Sequence, residues 1–131
     1  MAVRLVRPDM VPARILVVDD NESVRKALSR LLSVDDCVVC GEAADGFDAI
    51  EAARRLKPDL IIMDLSMPGM SGMDAAREIR KEFQTLSIML MTERDPEIIA
   101  VARQLGIRGT VSKVGNILDG IRAVLRGEEF F

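Results

Sequence analysis

Residues 61–69 read "IIMDLSMPG". Three apolar residues run into one carboxylate, Asp64, and a Pro-Gly pair follows at Pro68 and Gly69. A short apolar run bounded by turn signals reads as a strand buried on both faces. A carboxylate at the end of such a strand is costly unless it is paired or put to use. What Asp64 is for depends on what ends the neighbouring strands.

Working outward, short apolar runs alternate with longer segments of helical period. "RILVV" (14–18), "CVVCGEA" (37–43), "DLIIMD" (59–64), "LSIMLMT" (86–92) and "GTVSK" (109–113) read as strands. Between and after them lie five helical stretches. In "NESVRKALSRLLS" (21–33), Val24, Leu28, Leu31 and Leu32 recur at helical spacing. Asp45 caps "GFDAIEAARRL", with Asp48 in its first turn. Ser71 and Asp74 resemble a capping box opening a helix that runs to about Phe83. Asp95-Pro96 supplies a cap and a first-turn proline for "EIIAVARQL", and Gly106 ends that helix. "NILDGIRAVLRG" (116–127) is the last. Five β-α units with continuous apolar strands predict an α/β fold, a parallel sheet covered on both faces by right-handed crossovers.

The whole chain is consistent with one soluble domain. It has 131 residues, enough to bury a core, with 49% hydrophobic and 30% charged residues. The net charge of −3 argues against a nucleic-acid-binding surface, and no apolar run is long enough to span a membrane. There is no His, which removes the commonest general base and metal ligand. Residues 1–12 lack the apolar stretch of a signal peptide and read as a flexible lead-in. Cys37 and Cys40 form a C-x-x-C, but on a strand residues three apart face opposite ways. They are expected to pack rather than to perform redox or zinc chemistry, and reduced thiols suit a cytoplasmic location. The eight methionines read as packing and loop filler.

The strand ends carry the chemistry. Strand one ends in Asp19-Asp20, strand three in Asp64, strand four in Thr92 and strand five in Lys113. In open parallel sheets the functional crevice lies beyond the carboxyl ends of the strands. If strands one and three are neighbours, three carboxylates converge and repel, and a divalent cation with oxygen ligands, Mg²⁺, relieves that.

These residues, with "ILVVDDN", "PDLIIMDLSMPGMSG" and the closing "IRAVLRGEEFF", resemble the response-regulator receiver domain of two-component signalling, in its NarL/FixJ (LuxR-type) subfamily. The resemblance covers residues 13–127, leaving 128–131 as the start of a linker or tail. It implies a flavodoxin-like, doubly wound (βα)5 fold with strand order 2-1-3-4-5. It also implies that Asp64 accepts a phosphoryl group from a sensor histidine kinase or a small phosphodonor. Asp20 would bind Mg²⁺ directly and Asp19 through water, with Asp64 and the Ser66 carbonyl completing the protein ligands. Lys113 would pair with Asp64 and then with the phosphoryl group, and the Thr92 hydroxyl would report its arrival. A homodimer through residues 95–127 and a role in transcription regulation are further expectations. Subfamily members usually carry a DNA-binding helix-turn-helix domain that these residues do not include, so no direct nucleic-acid contact is expected from this segment.

Three positions depart from the pattern. Position 110, often aromatic and coupled to the switch threonine, is Thr110. Position 114, often proline, is Val114, before which a cis bond is far costlier. Glu93 stands where a small residue is usual, followed by Arg94. Glu93 is expected to slow phosphorylation or alter dephosphorylation by narrowing access, and Arg94 to offset it. Three other readings compete. A haloacid-dehalogenase-like phosphatase would want a second Asp two residues after Asp64, where Ser66 stands. A flavodoxin-like cofactor site would want a Ser/Thr/Gly-rich loop after strand one, where "DDNESV" stands. A receiver-shaped interaction module that is never phosphorylated would tolerate Glu93 and Thr110.

Overall fold

Five strands of β-branched and aliphatic residues hydrogen-bond in parallel, in the sequence order 2-1-3-4-5. The computed structural model describes residues 11–131, so most of the expected lead-in over 1–12 lies outside the described residues. The elements are β1 (Ala13–Val18), α1 (Glu22–Leu31), β2 (Cys37–Ala43), α2 (Gly46–Leu56), β3 (Leu60–Asp64), α3 (Gly72–Glu82), β4 (Ser87–Met91), α4 (Pro96–Gln104), β5 (Gly109–Val111) and α5 (Ile117–Leu125). This is the flavodoxin-like, doubly wound arrangement, with β1 and β3 adjacent in the middle of the sheet.

Period-two alternation along each strand sends neighbouring side chains to opposite faces. Leu16, Val18, Ile61, Met63, Ile88 and Leu90 pack against alanines of α2, α3 and α4. Ile15, Val17, Leu60, Ile62, Met89 and Met91 pack against Leu28, Ile121 and Val124 of α1 and α5. All of β3 is buried, which is why its sequence reads as an unbroken apolar run ending in Asp64.

Local chemistry starts the helices where the sequence places them. Asn21, Asp45, Ser71 and Asp95 each accept a backbone N–H from the first turn of their helix. Asn116 makes no such side-chain bond at α5. Lys57 ends α2 in the left-handed region (φ 48°) directly before Pro58.

Two expectations are corrected. Strand five stops at Val111, not at Lys113. It is the last strand of the sheet, and its ladder with Met89–Met91 ends at Val111, so Ser112 and Lys113 run past that partner into a turn in which Gly115 N–H donates to Ser112 O. Leu31 is 46% exposed rather than part of the core-facing stripe, which Leu28 and Leu32 supply. The strand expected over 37–43 is present as β2, with one irregularity. The β1–β2 register slips between Ile15 and Leu16, leaving Cys40 unpaired in the ladder with its Sγ 3.5 Å from Ile15 O.

Candidate functional site

The site lies at the carboxyl ends of β1, β3, β4 and β5. One carboxylate oxygen from each of Asp19, Asp20 and Asp64 falls within 4.8 Å of the others. Asp19 is fully buried, Asp64 is 6% exposed, and Asp20 faces solvent. Two buried acids at this separation would repel strongly in a medium less polar than water.

Each acid is held by its surroundings. Asp19 Oδ1 accepts the Asn21 N–H at 2.8 Å, and its carbonyl accepts the Arg25 guanidinium at 2.7 Å. Asp64 Oδ1 accepts the Ser66 N–H at 3.3 Å. Lys113 Nζ stands 2.8 Å from Asp19 Oδ2 and 3.4 Å from Asp64 Oδ2, so its nearer carboxylate is Asp19. The shorter contact is a charge contact rather than a well-directed hydrogen bond. It leaves the buried Asp19 Oδ2 without a hydrogen-bond partner among the described residues.

Burial raises the Asp64 pKa above the usual aspartate value. Asp19 adds to that, while Lys113 and the Ser66 amide pull the other way. For Lys113, burial alone would lower the pKa. The close contact with Asp19 and the charges of Asp64 and Asp19 outweigh it, and the net direction is up. The ammonium therefore remains charged beside its two acids.

A cavity of about 270 Å³ opens beside these groups, lined by Asp64, Ser66, Met91, Thr92, Glu93 and Lys113 among others. Glu93 is exposed at its rim. Arg94 is not one of its lining residues; its guanidinium donates to the Phe131 main-chain oxygen at 2.7 Å instead. The Thr92 hydroxyl lies 3.2 Å from Glu93 O. Thr110 is buried on β5, away from the acids, and lines a neighbouring cavity that also includes Thr92. Val114 is 94% exposed, and every peptide bond among the described residues is trans.

The cluster fits a small divalent cation. Its donors are all hard oxygens, one acid is exposed enough to leave water on the ion, and one buried oxygen lacks a hydrogen-bond donor. Asp19, Asp20 and Asp64 would hold the ion.

Two supporting residues are not evident from strand-end reading. Arg25 lies on the core-facing stripe of α1, three residues before Leu28, and ties that helix to the Asp19 carbonyl and, at 3.2 Å, to Glu42. A charge within an apolar stripe is the signal that could have found it. Gly72 opens α3 against the end of β3. A Cβ there would sit 2.2 Å from Asp64 O and 2.9 Å from Leu65 Cα.

The fold and this acid cluster define a class, and comparison with known proteins agrees. The chain belongs to the response regulator receiver domain family, whose model matches residues 15–124. It is 39% identical over 124 residues to the response regulator protein VraR of Staphylococcus epidermidis, and 38% to VraR of Staphylococcus aureus. Those alignments cover 90% of this chain and 59% of the relative's length. Among solved structures, a LuxR-family two-component response regulator from Aurantimonas superposes with a TM-score of 0.87 at 32% identity, over 92% of this chain and 90% of that one. The non-phosphorylated receiver domain of the stress response regulator RcsB from Escherichia coli gives 0.84 at 27% identity, over 92% and 98%. The chain is a receiver domain of a two-component response regulator of LuxR/NarL type, a signalling family. Among the described residues no helix is long and apolar enough to cross a membrane.

Proposed function

We propose that this domain accepts a phosphoryl group on Asp64 from a sensor histidine kinase and passes the change to an output surface, in a cytoplasmic regulator of transcription. The observation that carries this reading is the buried Asp64 carboxylate, with Lys113 at 3.4 Å and two further acids within 4.8 Å. Phosphoryl transfer requires positioning and neutralisation of charge more than covalent help from the protein.

In the step, an Asp64 oxygen forms a bond to phosphorus. The bond from phosphorus to the donor nitrogen or oxygen breaks, and its electron pair leaves with the donor. Asp64 is positioned for this by the Ser66 amide and by its place at the end of a strand buried on both faces. A bound Mg²⁺ would supply charge neutralisation and alignment of the phosphoryl oxygens. Lys113 turns from Asp64 Oδ2 towards the added oxygens while keeping its contact with Asp19. Thr92, at the cavity wall, offers a hydroxyl to one of them. Water hydrolyses the resulting acyl phosphate, so the signal is self-erasing. Glu93 at the rim slows approach of an anionic donor, and Glu93→Ala accelerates labelling. Output runs through the face spanning residues 95–127, on which a homodimer forms, and DNA is reached through another domain.

The test is intact mass after incubation with Mg²⁺ and acetyl phosphate. A phosphoryl adduct that requires the metal and is lost in Asp64→Asn supports the reading. No adduct in wild type or in Glu93→Ala, under conditions that label another receiver, overturns it in favour of an interaction module.

A further inference from the structure

Gly127 (φ 89°) turns the chain back after α5, and residues 128–131 run beside the outer edge of β5. Phe130 N–H donates to Arg108 O at 3.0 Å and Thr110 N–H donates to Phe130 O at 2.9 Å, making a parallel bridge between Gly109 and Phe130. Residues 128–131 therefore add one bridge to the edge of the sheet.

Their side chains are accommodated specifically. Phe130 packs into the core layer formed with α5, and Phe131 into the opposite layer. Two glycines make the room. A Cβ at Gly109 would meet Phe130 O at 2.5 Å, and one at Gly120 would meet the Phe130 ring at 2.8 Å. Three arginines hold the segment from outside. Arg108 donates to Gly127 O at 2.7 Å, and Arg94 to Phe131 O at 2.7 Å. Arg103 lies over the Phe131 ring at 4.6 Å from its centroid and 3.9 Å from Glu129.

This strand is linked to the acid site through three consecutive residues. Thr92 lines both the Asp64 cavity and a second cavity of about 270 Å³, whose walls include Arg94, Thr110, Phe130 and Phe131. The Thr92 hydroxyl fixes the Glu93 carbonyl, and the next residue, Arg94, grips Phe131.

We propose that Glu128–Phe131 is a detachable sixth strand that serves as the domain's response element, loosened when the Thr92 hydroxyl leaves Glu93 O for a phosphoryl oxygen on Asp64. The trigger rests on the phosphoryl reading above. Freed of that bond, the Glu93–Arg94 peptide shifts and Arg94 loses its fixed reach to Phe131. A short segment held by one bridge, two half-buried phenylalanines and surface arginines belongs to the low-stability end of a fold, where one lost bond changes the population. Its release bares the Thr110 N–H and Arg108 carbonyl on the edge of β5, a surface able to accept another strand.

Amide hydrogen exchange by NMR tests this on the full chain, with Mg²⁺ alone and with Mg²⁺ plus beryllium fluoride; binding is read separately from the fluorine signal. The Thr110 and Phe130 amides should exchange about fivefold faster with beryllium fluoride bound, the size of one lost hydrogen bond, while the Met63 amide in β3 stays unchanged. Arg94→Ala, at an exposed side chain, should give the same acceleration without fluoride. Bound fluoride with both amides unchanged overturns the switch and leaves phosphoryl acceptance standing. Unchanged exchange in Arg94→Ala overturns the latch itself. No bound fluoride overturns the phosphoryl reading, and the trigger falls with it.

Discussion

Replacing Asp64 by Asn should stabilise the metal-free protein, although it removes the proposed phosphoryl acceptor. At an effective dielectric of about 20, Asp19 and Asp64 carboxylate oxygens lying within 4.8 Å of each other repel by at least about 3.5 kcal/mol. The attraction between Asp64 and Lys113 at 3.4 Å is about 5 kcal/mol on the same scale. Lys113 is 41% exposed, so solvent screens part of that attraction, and the exposed Asp20 adds a small repulsion of its own. The pairwise terms therefore nearly cancel, and the desolvation of Asp64, whose side chain is 8% exposed, decides the sign. Asn is isosteric, keeps an oxygen for the Ser66 N–H, and removes the buried charge. In chelator, Asp64→Asn should gain about 1 kcal/mol, or about 4 °C in Tm for a chain of this size. Saturating Mg²⁺ should reverse the order, because an ion at a hundred times its Kd stabilises wild type by about 2.7 kcal/mol and finds a poorer site in the variant. Urea and thermal melts with and without Mg²⁺ measure both arms. A variant less stable than wild type in chelator would refute the assignment of Asp64 as a charge held against its own electrostatics.

Other perturbations probe the supporting structure. Lys113→Ala should cost about 2 kcal/mol in urea melts, because it leaves the fully buried Asp19 without its cation. With its pKa raised, the lysine's contribution should be fully present below the ordinary value of 10.5 and fade as pH rises through the folded one, so a loss that already disappears below about pH 10 would count against it. Gly72→Ala should cost about 3 kcal/mol by overpacking, since its Cβ collides with the backbone of Asp64 and Leu65 rather than with a flexible side chain, and a melt equal to wild type would disprove that contact. Burial, the largest influence on it, raises the Cys40 thiol pKa, so less thiolate is present at pH 8. Alkylation followed by mass should find Cys40 slower than in urea-unfolded protein, and Cys37, at 2% exposure, modified only on unfolding.

Much of the architecture was legible in the order of residues. Continuous apolar runs followed by Asp19-Asp20, Asp64, Thr92 and Lys113 placed the strands and brought the site to one edge, because parallel strands joined by helices all end on the same side. The caps at Asp45, Ser71 and Asp95 were readable because each is a local bond between a side chain and an amide two or three residues on. Contacts between distant segments were not. That Lys113 leans on Asp19 more closely than on Asp64 depends on how far β5 runs before its β4 partner ends. The slip at Ile15, the grip of Arg25 on the Asp19 carbonyl, and the fit of Gly72 against Asp64 likewise arise from pairs that meet only after folding. The return of Phe130 and Phe131 to the edge of β5 is the plainest case. In sequence "GEEFF" reads as a place where a domain ends. Only the tertiary structure brings the open edge of β5 beside it, with the space at Gly109 and Gly120 to receive it.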